Sequence, residues 1–574
     1  MVFNKDKFVK FVSFQEFLPS SFTSYKNKIG LATDDEYLSE NKDVVLNWPY
    51  KDCILEGGQD KEDVKRNEVF HNEILAPDEI DKLLDPKVFT NFKKYNRDGE
   101  HGVAEVTMDD NLILEGNNLL CLHSILGKYR KKIKVIYIDP PYNPKSASNT
   151  FNYNNSFNRS TWLTFMKNRL EVAKELLSDQ GILVTAIDDN EVSYLRVLLD
   201  ELYPQYTHET VVVNHHPQGS GGLNISATHE YAIFTIPKGK RLIKGEANDN
   251  EEEEWPLVKS GSGNDYFRIG RPNMFFAILV NRNTNEVVGI DKELSSDGKY
   301  SIEDNNRGYQ RIYPIDSKGM ERRWRYGRET MESLISDGKI VCSKNGVLKV
   351  KKSRKDAHRP VYSNWLDSRY NAGTHGTRLV DSLTYGEKFS FPKSLYTVLD
   401  AIKYTTWDTK DAIILDFFGG SGTTAQAVLD LNKVDGGSRK FILIEQMDYI
   451  KNITVKRVHK VIEKNNEGSF IYAELKDNLQ DFIDKLNRTG KEQELADLLE
   501  LAKKSSFLSY KVNPRLIDTK DKDFKKLSIT EKKKILLDLV DKNYLYVNYS
   551  DIDNADFKVS EEDKKLNKQF YGNE

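Results

Sequence analysis

Apolar residues come in short runs that alternate with stretches of helical spacing. Ile133 and Val135–Ile138, Ile182–Ile187, Ala412–Leu415 and Phe441–Ile444 are four such runs. Each reads as a strand buried on both faces, the signature of a parallel sheet. Leu112–Leu114, Val211–Val213 and Tyr231–Phe234 are shorter candidates. Between them, Leu119, Leu122, Ile125 and Leu126 recur every three or four residues, as do Trp162, Met166, Leu170, Ala173 and Leu177. Both sets predict helices with one apolar face, the second ending at Gly181. Asp188-Asp189-Asn190 predicts a cap for a third helix, through Val192, Leu195, Leu198 and Leu199. Leu112 to Ile138 therefore reads as a strand–helix–strand unit whose two strands are parallel. The alternation stops near Lys238 and returns near Phe389.

Two strand ends carry chemistry. The Val135 strand runs into Asp139-Pro140-Pro141-Tyr142. Two prolines stop both the ladder and any helix, leaving a rigid elbow. It presents a carboxylate, two proline carbonyls and an aromatic face. That set suits a flat amine, with Asp139 and a proline carbonyl accepting its two N–H bonds and Tyr142 stacking on its plane. An ordinary strand-ending turn is the plainer reading of the tetrapeptide alone. Asn143 to Ser160, rich in Asn, Ser and Pro, reads as a lid beside the elbow.

The second end is Asp416-Phe417-Phe418-Gly419-Gly420-Ser421-Gly422-Thr423-Thr424, followed by a helix, a strand and Glu445. This is a nucleotide-binding half. A triphosphate loop needs a lysine before the hydroxyl residue, and none is present. A dinucleotide site fits Gly420-x-Gly422-x-x-Ala425 with Glu445 on a ribose. S-adenosylmethionine fits the same turn without a pyrophosphate. Asp416 decides between these two, because a carboxylate there repels a pyrophosphate and suits an ammonium and a sulfonium.

Composition narrows the classes. The 574 residues suggest several domains and an ample core. Net charge is −3, so any nucleic-acid footprint is a local patch. Arg322, Arg323, Arg325, Lys351, Lys352 and Arg354 supply one, interleaved with Trp324, Tyr326, Tyr362 and Trp365. A solvated face over core aromatics is the competing reading. Glu251–Glu254 reads as a solvated acidic loop. The three cysteines are far apart, which fits a reducing cytoplasm and argues against a disulfide framework or zinc. His215 and His216 read as loop residues rather than metal ligands, so no metal is expected. No stretch reaches membrane-span length, and no membrane association is expected. Residues 1–105 read as a separate domain or arm. Residues past Asp448 read as helical, with a capping box at Ser528-Ile529-Thr530-Glu531.

Together the elbow and the turn resemble the amino-group DNA methyltransferases, in the β order of motifs. Leu114-Glu115-Gly116-Asn117-Asn118-Leu119, Gly181–Glu191, His229-Glu230-Tyr231 and Arg271–Phe276 bring the likeness closer to modification subunits of type III restriction–modification systems. The resemblance implies an α/β, Rossmann-like methyltransferase sheet in permuted order, formed by residues 106–240 and 381–465. It implies an inserted α+β target-recognition domain over 241–380, with extra domains over 1–105 and, mostly helical, 466–574. It implies methyl transfer from S-adenosylmethionine to the N6 amine of a flipped adenine in double-stranded DNA. Asp139, Pro140, Pro141 and Tyr142 are then catalytic. Asn117, Lys393, Glu445 and residues Asp416, Phe417, Phe418, Gly419, Gly420, Ser421, Gly422, Thr423 and Thr424 are then the cofactor site. The implied partners are a second copy of the chain and a helicase–nuclease restriction subunit. A solitary methyltransferase and a non-catalytic DNA-recognition subunit remain as alternatives.

Overall fold

The structure is a computed structural model. It describes residues 22–25, 44–56, 69–72, 82–143, 158–219, 221, 224–246, 252–291, 298–305, 307–353, 358–477 and 546–572, with scattered positions between 486 and 533. Residues 144–157 of the lid expected over Asn143 to Ser160, and Arg354, lie outside them. The chain forms two compact units, one of residues 1–244 and 361–574 and one of residues 245–360.

The larger unit is built on an eleven-stranded sheet. In chain order its strands are β1 (Phe89–Asn96), β2 (Gly99–His101), β3 (Leu112–Glu115), β4 (Ile133–Ile138), β5 (Leu177–Ile187), β6 (Tyr206–Val213), β7 (Glu230–Pro237), β8 (Asn364–Trp365), β9 (Ile413–Asp416), β10 (Lys440–Glu445) and β11 (Ser469–Leu475). Across the sheet the order is β8-β6-β7-β5-β4-β9-β10-β3-β11-β1-β2. The six strands from β5 to β11 are all parallel. The predicted pair β3 and β4 is parallel, but β9 and β10 lie between them. One face packs helices α1 (Asn118–Tyr129), α2 (Arg159–Leu176) and α3 (Val192–Leu202). The other packs α4 (Leu395–Thr405), α5 (Thr423–Asp435) and α6 (Lys456–Asn465). Burial on both faces explains the unbroken apolar runs.

Several expected boundaries move. Helix α2 stops at Leu176, and β5 runs through Gly181. The segment before residue 105 is not separate where it is described: β1 and β2 extend the sheet, and Trp48, Ile54 and Leu55 join its core. Residues 469–475 are strand rather than helix, and α7 (Glu561–Tyr571) packs through Phe570 against Phe89 of β1. Residues 361–380 belong to the larger unit, because β8 pairs with β6. Short strands that complete a sheet edge carry too little periodicity to be read from sequence.

The smaller unit, residues 245–360, has its own core around Leu257, Phe276, Trp324 and Met331. Glu252–Pro256 is a strand paired antiparallel with Leu348–Ser353, not a solvated loop. That pairing sets acids opposite bases.

Candidate active site

All the parallel strands deliver their carboxyl ends to one edge. There β4 ends at Asp139 and the neighbouring β9 ends at Asp416. One pocket is lined by Asp139, Pro141, Lys393, Asp416, Phe418 and Gly420, with Glu445 beyond them. The two stretches, 277 residues apart in sequence (416 minus 139), share a single cavity.

The glycine turn is held by its two acids. Asp416 accepts from the Phe418 amide at 3.0 Å and the Thr424 hydroxyl at 2.6 Å. Glu445 accepts from the amides of Gly420 at 2.8 Å, Gln446 at 2.8 Å and Met447 at 3.0 Å, and from the Tyr449 hydroxyl at 3.0 Å. Burial raises both carboxyls, Asp416 up to about 7. Gly420 and Gly422 have φ of 51° and 80°, a region that favours glycine. Behind the turn, fully buried Arg457 donates to the hydroxyls of Ser421 and Thr423, each at 2.8 Å.

The elbow is held differently. The Trp162 indole N–H donates to the Pro141 carbonyl at 2.8 Å. One of the two lone pairs of the Pro141 carbonyl is thereby engaged, which leaves the Pro140 carbonyl the less encumbered of the two. Asn143, with φ of 53°, donates to the buried carboxylate of Glu191 at 2.9 Å. Lys393 places its ammonium 3.0 Å from Asp139 and 2.9 Å from Glu230. The Tyr142 hydroxyl donates to Glu230 at 2.9 Å. The Lys393 ammonium lies over one face of the Tyr142 ring, 4.4 Å from its centroid. Burial raises the Asp139 carboxyl against the pull of Lys393. Burial also opposes the charge of Lys393, yet Asp139 and Glu230 more than offset it and hold the lysine protonated.

Some candidates sit elsewhere. Asn117 caps α1, accepting from the amides of Leu119 and Leu120. Phe417 is buried in the core, and its carbonyl accepts from Asn118. Gly422 shapes the turn from behind, where a Cβ would crowd Val458 and Thr454. Lys393, by contrast, lines the shared pocket while bonding the elbow's acid. Trp162, Glu230 and Arg457 were not sequence candidates. Trp162 reads as one more apolar helix position, Glu230 enters only as part of the His229-Glu230-Tyr231 likeness with no role attached, and nothing local marks Arg457.

The basic cluster of the smaller unit is largely engaged within that unit. Arg322 pairs with Asp316 at 2.7 Å, and Lys351 with Glu252 at 3.7 Å. Arg323 and Arg325 donate to the carbonyls of Asp265 and Pro256. The Lys352 ammonium lies over the Trp255 ring.

Trp162→Phe tests the pinned elbow. It is expected to cost about 1–2 kcal/mol of stability, the cost of an orphaned buried acceptor. It should also lower single-turnover rate about tenfold, because a misplaced acceptor costs orientation. Chemical denaturation and rapid-quench kinetics measure the two.

Fold and pocket define a doubly wound α/β group-transfer protein, in which a turn suited to a cationic nucleoside ligand faces an acceptor for an amine. The family model described as DNA methylase matches residues 133–456, more than half of the chain. The chain belongs to this DNA methylase family. The model for the type III restriction/modification enzyme methylation subunit matches residues 1–31. The chain is similar to the probable type III restriction-modification enzyme HindVI Mod subunit of Haemophilus influenzae, 28% identical over 96% of this chain and 88% of that one. It is also similar to the type II methyltransferase M.KpnI of Klebsiella pneumoniae, 32% identical over 64% of this chain and 88% of that one. The EcoPI Mod subunit of Escherichia phage P1 is 30% identical over 62% and 63% of the two chains.

Proposed function

We propose that this chain is the modification subunit of a type III restriction–modification system. It methylates the N6 amine of an adenine extruded from double-stranded DNA, and it supplies sequence recognition to a helicase–nuclease partner. The observation that carries the chemistry is the shared pocket of Asp139 and Asp416. The likeness to the HindVI Mod subunit across nearly the whole chain favours this reading over a solitary enzyme.

The pocket fits S-adenosylmethionine. A buried carboxylate with a left-handed glycine turn above it leaves room for close backbone approach, and no residue is placed as a phosphate loop requires. When bound, that cofactor supplies an electrophilic methyl on a sulfonium. Asp416 meets its ammonium, Glu445 its ribose, and Phe418 and Gly420 line it. The Asp139 carboxylate and the Pro140 carbonyl accept the two N–H bonds of the adenine amine. This aims the nitrogen lone pair, otherwise delocalised into the ring, out of the ring plane. Tyr142 stacks on the base and offsets part of the few kcal/mol spent on unstacking it. The work done by these residues is orientation and charge placement.

The functional unit is a homodimer in which one copy reads DNA and the other modifies it, within the cytoplasm. The smaller unit, residues 245–360, provides the reading surface. Sequencing of modified bases in DNA from cells with and without the gene tests the function. N6-methyladenine at one sequence motif, present only with the gene, is expected. Identical patterns in both would refute it.

A further inference from the structure

We infer that Glu230 and Lys393 act as a positioning pair, fixing the Asp139 carboxylate and the Tyr142 ring in the arrangement that receives an exocyclic amine. The inference rests on the methyl-transfer reading above and extends it to two residues that meet neither leaving group nor methyl.

Glu230 is the first residue of β7, the strand antiparallel to β5. Tyr231 pairs with Ile187, so β7 begins at the edge where the parallel strands end. The strand goes on through buried Ala232, Ile233 and Phe234. A carboxylate only 3% exposed at the head of such a strand carries a large desolvation cost. It is matched there by two specific partners, the Lys393 ammonium and the Tyr142 hydroxyl. The hydroxyl is thereby turned toward Glu230, which leaves the ring face, not the phenol, for the base. Lys393 meets Asp139 at Oδ1, and the Tyr142 hydroxyl also bears on this carboxylate.

Charge tells the same story. Lys393 offsets one of the two carboxylates, so the trio keeps one net negative charge beside the atom that becomes cationic during transfer. An Asp139 carboxyl that took up a proton would offer a donor where the amine needs an acceptor. Lys393 opposes that protonation. Asp188 and His215 act on the same trio from α3's entry loop and from the end of β6, and Tyr137 and Asp416 face it across β4 and β9.

A merely structural role, tying β7 to the elbow, would lower stability and leave the titration of Asp139 in place. The test uses the full chain with Lys393→Met, Lys393→Arg and Glu230→Gln. It reads single-turnover methyl transfer, S-adenosylmethionine affinity by calorimetry, and the Asp139 carboxyl titration by carbon-13 NMR, assigned with Asp139→Asn. Lys393→Met should lower the rate at least about 100-fold, with cofactor affinity held within about threefold. Its Asp139 midpoint should move to higher pH. Lys393→Arg should recover to within about tenfold of wild type, since the charge persists in another geometry. Glu230→Gln should lower the rate about tenfold and move the Asp139 midpoint to lower pH. An unmoved midpoint in Lys393→Met, or rates within threefold of wild type in both Lys393→Met and Glu230→Gln, overturns the inference. If wild-type protein transfers no methyl to any DNA, the functional reading falls, and the NMR titration still decides whether the pair governs Asp139.

Discussion

Asp139→Ala is expected to retain DNA and cofactor binding within a few-fold and to lose methyl transfer by about a thousandfold or more. The size follows from how little else in the pocket does the same job. The Pro141 carbonyl is already engaged once by Trp162, so the Pro140 carbonyl is the main acceptor that remains at the elbow. An amine held by a single acceptor rotates, and its lone pair stays in conjugation with the ring. Alanine also leaves the Lys393 ammonium with Glu230 alone, placing more positive charge where positive charge develops. Binding is spared, because cofactor recognition rests on Asp416, Glu445 and the glycine turn. Asp139→Asn should be nearly as inactive, since an amide keeps the shape and loses the charge. Filter-binding with labelled methyl, alongside gel-shift affinity, separates the two effects. Incorporation within tenfold of wild type would remove Asp139 from the chemistry.

Loss of the Asp416 charge should have the second largest effect, on the cofactor. Burial pushes this carboxyl up to about 7. A ligand ammonium binds the ionised form, so the free protein must lose a proton first at lower pH. Affinity for S-adenosylmethionine should therefore rise as pH increases toward 7 and level off above it. Below 7 it should fall by up to about tenfold per pH unit. Stability runs the other way. A carboxyl whose folded value is raised favours the folded state at low pH and loses that contribution as pH rises through about 7. Asp416→Asn keeps a hydrogen-bonding group beside Phe418 and Thr424. It should weaken cofactor binding about 100-fold, the scale of a buried charge pair left unmatched, and flatten the pH dependence. Calorimetric titrations from pH 5.5 to 8.5 decide it. A flat wild-type profile would place the ammonium elsewhere.

The two halves of the pocket were legible for a physical reason. Each is a local signal, an apolar run ended by an acid and a turn, and parallel strands carry such ends to one edge whatever lies between them. The sheet's extensions were not legible. Strands as short as Asn364–Trp365 show no period of their own and exist only because β6 offers an edge. The residues that hold the pocket rigid were hidden by distance in sequence. Trp162 reaches Pro141 across 21 residues, Tyr142 reaches Glu230 across 88, and Lys393 reaches Glu230 across 163. Distance in sequence hides the partners of the basic cluster as well. Lys351 gives no sign of a partner in sequence until the strand holding Glu252, 99 residues earlier (351 minus 252), lies against it.

The shared pocket itself is tested most directly by a bisubstrate analogue, an adenine nucleoside joined through N6 to the position of the transferred methyl. Such a molecule should displace S-adenosylmethionine competitively and also compete with a duplex carrying the target adenine, binding more tightly than either fragment alone. It should bind Asp139→Ala and Asp416→Asn far more weakly. Competition with the cofactor alone, with DNA binding and the Asp139 variant indifferent to the adenine arm, would contradict the claim that base and methyl donor meet in this cavity.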